Sequence, residues 1–195
     1  MMFNEMELDV LRELGNIGAG HAATSLSQLL NRTIEISVPK VYIVEITDTL
    51  KALNRKPDEI VTSVVTGLND IDNVVGFLFL IFPNNVDKKI AEIMMVEEEM
   101  CDSALTEIGN ILASSFCNAL AEFLDIVLMP TPPNLVKDYI LSVLDELLAQ
   151  IATKSNYLIL FETQLKDENN MVTLDIILVP SETLMNYIRK AISMV

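Results

Sequence analysis

The sequence predicts an α/β fold made by duplicating one unit, a pseudo-twofold α/β arrangement whose mainly antiparallel sheet is flanked by two long motif-bearing helices. Three observations carry that expectation. Glu13-Leu14-Gly15-Asn16-Ile17 recurs as Glu107-Ile108-Gly109-Asn110-Ile111, an offset of 94 residues. Leu11, Ala19 and Pro39 recur at the same offset as Leu105, Ala113 and Pro133. Helical and alternating apolar periods then follow one another in the same order in each half. At roughly 5% usage per residue type, three identities at a fixed offset arise by chance on the order of once in ten thousand registers, so duplication is the better account. The expected organisation of the 195 residues is a single domain of two repeats, 1–97 and 98–195. Units of that size are too long for a solenoid.

Val10, Leu11, Leu14, Ile17, Leu26 and Leu29 recur at helical spacing, so residues 5–30 are expected to form a long amphipathic helix, with Val10, Leu11, Leu14 and Leu26 on the core side. Residues 33–44 alternate around Ile34, Ile36, Val38, Val41 and Ile43, a strand interrupted or bent at Pro39. Strands are expected at 60–65 and 157–165, and again at 74–82 and 171–179. The run from Gly76 to Pro83 resembles that from Thr173 to Pro180, now at an offset of 97. Helices follow at 86–95 and 182–192. The departure from the repeat is 135–152, a helical pattern that stands where the first half has the thinner 50–58.

Composition narrows the function. Thirteen basic against twenty-eight acidic residues give a net charge of −15, which repels phosphate backbones, so nucleic acid is not an expected partner. The longest apolar run, residues 74–82, is far short of the roughly 20 residues a membrane helix needs. The first residues have neither a basic nor an apolar signal region, and only Cys101 and Cys117 occur, with His21 the single histidine. A reducing cytoplasm is the expected setting, with no disulfide framework and no metal-ligand cluster.

On a helix of 3.6 residues per turn, Asp9, Glu13, Asn16 and Gly20 fall within about 60° of one another, opposite the apolar side. A carboxylate and an amide therefore point outward from a rigid element. Gly15, Gly18 and Gly20 each cost about 1 kcal/mol against Ala in a helix, and bare backbone there is expected to let another surface approach. Ser103, Glu107, Asn110 and Ser114 rebuild the same face in the second half. One such pair is usually just a solvated helix face; keeping it in both repeats, while many neighbours changed, favours a functional role over a structural one such as capping or packing.

Both helices read acidic-or-Ser, three residues, Glu, two residues, Asn, twenty-two residues, Pro: Asp9-Glu13-Asn16-Pro39 and Ser103-Glu107-Asn110-Pro133. This resembles the signature of the CheC, CheX and FliY phosphatases, and two intact motifs in one chain are most similar to CheC. The resemblance covers nearly the whole chain. It implies hydrolysis of the aspartyl phosphate on the chemotaxis response regulator CheY, with Asn16 and Asn110 orienting the attacking water and Glu13 and Glu107 docking against a regulator lysine. Asp9, Pro39, Ser103 and Pro133 would support the motif. No cofactor of its own is implied, since Mg²⁺ would come with the regulator's acidic pocket. CheC-like proteins also resemble binders of the receptor deamidase CheD, and Pro133-x-Leu135-x-x-Asp138 before an apolar helix is similar to the region concerned, with Asp138 as the expected contact.

Other signals are set aside. Gly18-x-Gly20-x-x-Ala23 matches a dinucleotide fingerprint but sits inside a helix rather than after a strand. His21 lacks an acid partner on its helical face, the two cysteines read as small hydrophobes, Met94, Met95 and Met171 as gap-fillers, and Glu97-Glu98-Glu99 as a solvated linker.

Overall fold

The structure is a computed structural model and describes residues 5–71, 73–84, 86–151 and 157–193. Helix α1 (Glu5–Leu30) leads through β1 (Glu35–Ile36) and β2 (Lys40–Glu45) to the short α2 (Thr49–Ala52), then β3 (Ile60–Asn69), β4 (Val74–Phe82) and α3 (Asp87–Met94). Helix α4 (Cys101–Leu124) opens the second half, followed by β5 (Met129–Pro130), β6 (Asn134–Tyr139), α5 (Ile140–Ile151), β7 (Tyr157–Lys166), β8 (Met171–Pro180) and α6 (Glu182–Ile192).

The two long helices stop in the same way. Asn31 follows α1 with φ 50° and Asp125 follows α4 with φ 53°, left-handed positions that lie 94 residues apart, the offset of the motif itself. Asn and Asp tolerate that conformation better than most side chains, and it turns the chain into the first edge strand. Pro39 and Pro133 lack a ladder donor, which divides each edge into two short strands, β1 with β2 and β5 with β6.

The sheet is antiparallel throughout. Its eight strands run in the order β1/β2, β7, β8, β4, β3, β6/β5, with the paired edge strands lying end to end. One face, with Val64, Leu80, Phe82, Phe161, Leu174 and Leu178, packs beneath α1, α3, α4 and α6. The other, with Val61, Phe79, Ile81, Leu160 and Ile177, is covered by α5 and by Leu53 beyond α2. Burial on both faces explains why β4, and β8 from Ile176 to Val179, read as continuous apolar runs instead of alternating ones.

The structure corrects the expectations at several points. Residues 134–139 are strand β6 rather than the start of a helix, because pairing with β3 from Ile60 to Val65 satisfies their backbone. Ile140 N–H then bonds Glu59 O at 2.8 Å and α5 begins; Ala152, the expected end of that helix, lies outside the described residues. Strand β3 continues past Val65 because Thr66, Gly67 and Leu68 stay in register with β4. The 97-residue offset expected for β4 and β8 puts Leu78 on Asp175 and Leu80 on Ile177, which face opposite sides of the sheet. An offset of 98 matches Leu78 with Ile176 and Leu80 with Leu178, all on the helix-covered face. An odd slip flips every side chain across a sheet. Met95 and Met171, expected as gap-fillers, are exposed at 61% and 49% and take no part in the core.

Two arginines fasten connections to the sheet. Arg55, in the loop after α2, places Nη2 2.9 Å from the Asp175 carboxylate on β8 and also pairs with Glu59. Burial pushes the Asp175 carboxyl above its ordinary value, and Arg55 opposes that rise. Arg32 pairs at 3.1 Å with Asp167, which caps the β7–β8 turn, and donates to the carbonyls of Glu92 and Ile93 at the end of α3.

Candidate active site

The motif residues sit on α1 and α4, the two helices that pack against each other over the sheet. Leu11, Leu14, Gly15, Gly18, Ala19 and Ala22 are buried along α1, so helical spacing turns Asp9, Glu13, Asn16 and Gly20 to solvent, and all four are exposed. On α4, Leu105, Ile108, Gly109, Leu112 and Ala113 are buried. Ser103 and Glu107 are exposed there, while Asn110 and Ser114 are half-buried. The face is therefore present twice, with the amide more shielded on α4.

Three of the motif glycines serve the inside of the molecule, not an incoming surface. A Cβ on Gly15 would lie 2.9 Å from the Phe161 ring and 3.0 Å from Pro39, one on Gly18 3.0 Å from the Phe116 ring, and one on Gly109 2.8 Å from Val64 Cβ. Phe116 and Phe161 meet edge to face at 5.5 Å between them. The glycines thus let the helices sit close to each other and to the sheet, which fixes the direction in which the Glu and Asn side chains leave. Pro39 is buried against Gly15, inside the turn that separates Glu13 from Asn16. Pro133 is half-buried.

Among the described residues, no hydrogen bond or ion pair engages the side chains of Glu13, Asn16, Glu107 or Asn110. Glu and Asn three residues apart lie on neighbouring turns of one face, about 5–6 Å between Cβ atoms. Each helix therefore offers a free carboxylate beside a free amide, one an acceptor of cations and the other both donor and acceptor. The flanks differ. Asp9 pairs with Arg12 in the open beside Glu13. On the second helix Ser103 and Thr106 stand at those positions. There Lys137 of β6 reaches Asp102 at 2.8 Å and Asp87 at 3.4 Å, and these partners raise its pKa above the ordinary lysine value. Nothing in the sequence pattern marks Lys137, because its partners lie on distant elements.

The remaining candidates lie away from this face. His21 is exposed. Burial pushes the Cys117 thiol up to about 11. Burial, with help from the Asp87 carboxylate at 3.3 Å, pushes Cys101 up to about 12. Neither is a thiolate nucleophile at neutral pH. Asp138 is exposed on β6 and accepts a 2.6 Å bond from the Tyr139 N–H. No group of three His, Cys, Asp or Glu among the described residues could hold a metal ion, and no helix among them is long and apolar enough to cross a membrane.

Comparison with known proteins gives this geometry a family. The chain is 33% identical over 178 residues to the CheY-P phosphatase CheC of Bacillus subtilis, covering 85% of this chain and 83% of that one. The chain belongs to the CheC-like family. The family model for CheC-like proteins matches residues 6–43 and 100–136, which are α1 to β2 and α4 to β6, the segments that carry the two CheC motifs. Among solved structures the fold is similar to that of Thermotoga maritima FliY, with TM-score 0.75 and 22% identity over 100% of this chain and 99% of that one. A chain of the FliM-SpeE complex of H. pylori is similar in fold at TM-score 0.69 and 11% identity, covering 100% of both.

Proposed function

We propose that this CheC-like chain hydrolyses the aspartyl phosphate of a phosphorylated CheY-type response regulator. The observation that carries the reading is the pair of Glu-x-x-Asn faces, open on α1 and with the amide half-buried on α4, each with an unengaged carboxylate and amide on a rigid helix, in a chain akin to a CheY-P phosphatase. An acyl phosphate already has a good leaving group, so a helper has mainly to place water in line with phosphorus. The side chain of Asn16 or Asn110 can do this, since its carbonyl oxygen accepts from the water while its NH₂ donates to a phosphoryl oxygen. Water oxygen bonds to phosphorus as the bond from phosphorus to the aspartyl oxygen breaks. The products are inorganic phosphate and the free carboxylate, with no covalent intermediate on this chain. Glu13 and Glu107 dock, pairing with a lysine at the regulator's phosphorylation site. Mg²⁺ belongs to the phosphorylated substrate and arrives with it. A cytoplasmic setting follows from such a substrate.

Incubating the purified chain with radiolabelled regulator phosphate, and following label loss against spontaneous decay, tests the reading. Accelerated loss is expected; decay at the spontaneous rate overturns it. The second reading, sequestration of the deamidase CheD through β6, is favoured by one observation, the exposure of Asp138 on an edge strand. Its test is pull-down of CheD by the wild-type chain and its loss with Asp138→Lys.

A further inference from the structure

Gly15, Gly18 and Gly109 each answer to a neighbour that would collide with a Cβ, but Gly20 does not. A Cβ on Gly20 would meet nothing within 4 Å. No described glycine has a positive φ, so its backbone conformation does not call for glycine either. The position is exposed in the middle of α1, where glycine disfavours the helix, and the Thr24 hydroxyl donates to its carbonyl at 2.9 Å. Nothing within the fold accounts for the missing side chain.

Its place on the helix does. Cα–Cβ bonds lean towards the helix N-terminus, so a helical side chain covers the turn before its own Cα. A side chain at position 20 would lie over the turn that carries Asn16, about 6 Å back along the axis. We infer that Gly20 is a positioning residue, kept bare so that the phosphorylated loop of the regulator can settle against α1 with its phosphorus within reach of the Asn16 amide. The inference rests on the phosphatase reading of this face. On α4 the corresponding residue is Ser114, half-buried, beside the more shielded Asn110. The first face is thus the more open of the two, and the two admit the same substrate with different clearance.

The experiment isolates the first face in an Asn110→Ala background and measures regulator-phosphate hydrolysis together with thermal unfolding. Gly20→Ala raises the unfolding midpoint, because an exposed helical glycine is replaced, and raises KM with kcat largely kept. Gly20→Leu lowers kcat/KM by on the order of a hundredfold, the size of loss that a misplacement of about 1 Å produces. Ser25→Leu, an exposed change about 180° around α1 from Asn16, leaves turnover unchanged. Gly20→Leu that is folded and as active as its parent overturns the inference, and so does an Asn110→Ala parent without turnover, since Gly20 would then serve no working face. Failure of the wild-type chain to speed decay at all is a different result, and it removes the phosphatase reading itself.

Discussion

Asn16 and Asn110 carry the proposed chemistry and Glu13 and Glu107 the proposed contact, so substitutions at the two kinds of position should separate rate from affinity. Asn16→Ala and Asn110→Ala, made singly, should each leave substantial turnover, because each helix holds a complete pair. Initial rates at saturating regulator phosphate check this, and loss of all activity in one single variant would mean that the other face is idle. Glu13→Lys with Glu107→Lys should weaken regulator binding more than the matching Ala changes, since a like charge set against the regulator's lysine costs several kcal/mol. Equal affinities for the Ala and Lys pairs would take docking away from the glutamates. The candidate side chains are legible in the sequence because duplication repeats them at a fixed offset. The roles of their neighbours are not. Gly15, Gly18 and Gly20 look alike in the sequence, yet Phe161, Pro39 and Phe116 explain the first two and leave the third to solvent.

At the scale of elements, the close seating of α1 and α4 on the sheet is what aims the motif, and it depends on the absence of Cβ atoms. Gly109→Ala forces a methyl against Val64 and should destabilise the chain by about 1–3 kcal/mol, read from chemical unfolding. Gly20→Ala, with open space around it, should do the opposite. Long helices and buried strands are legible from their periods. Strand β6 is not, because its pairing with β3 is a contact across the chain that an apolar pattern shared with the following helix conceals. The face-flipping offset between β4 and β8 has a similar origin: β4 is buried on both sides and shows no alternation that would fix its register against β8.

Across the whole molecule, stability should respond to pH through groups whose protons the fold holds more tightly. Cys101 and Cys117 keep their protons in the folded chain well above the ordinary thiol value of 9.0, to about 12 and about 11. Folding therefore binds protons in that window, and stability falls as pH rises from 9 towards 11. Cys117→Ala should flatten the fall, as equilibrium unfolding at several alkaline pH values would show. Asp175 works in the same direction at lower pH: its raised folded-state pKa means that protonation favours the fold as pH drops from neutral towards the ordinary carboxylate value. Arg55→Met removes the partner of that buried carboxylate, with a loss of roughly 3–5 kcal/mol at neutral pH that should shrink on acidification. A deficit independent of pH would contradict the pairing. This ion pair cannot be read in the sequence, since Arg55 and Asp175 lie 120 residues apart.

If the two amides, and not some other feature of the fold, turn the regulator phosphate over, then removing both must remove turnover. Asn16→Ala combined with Asn110→Ala isolates that requirement, because neither side chain makes a hydrogen bond within the described residues and the fold should survive their loss. With unfolding shown to be unchanged, regulator phosphate is expected to decay in the presence of the double variant at its spontaneous rate. Retention of most of the wild-type rate by the folded double variant would contradict a role for the amides.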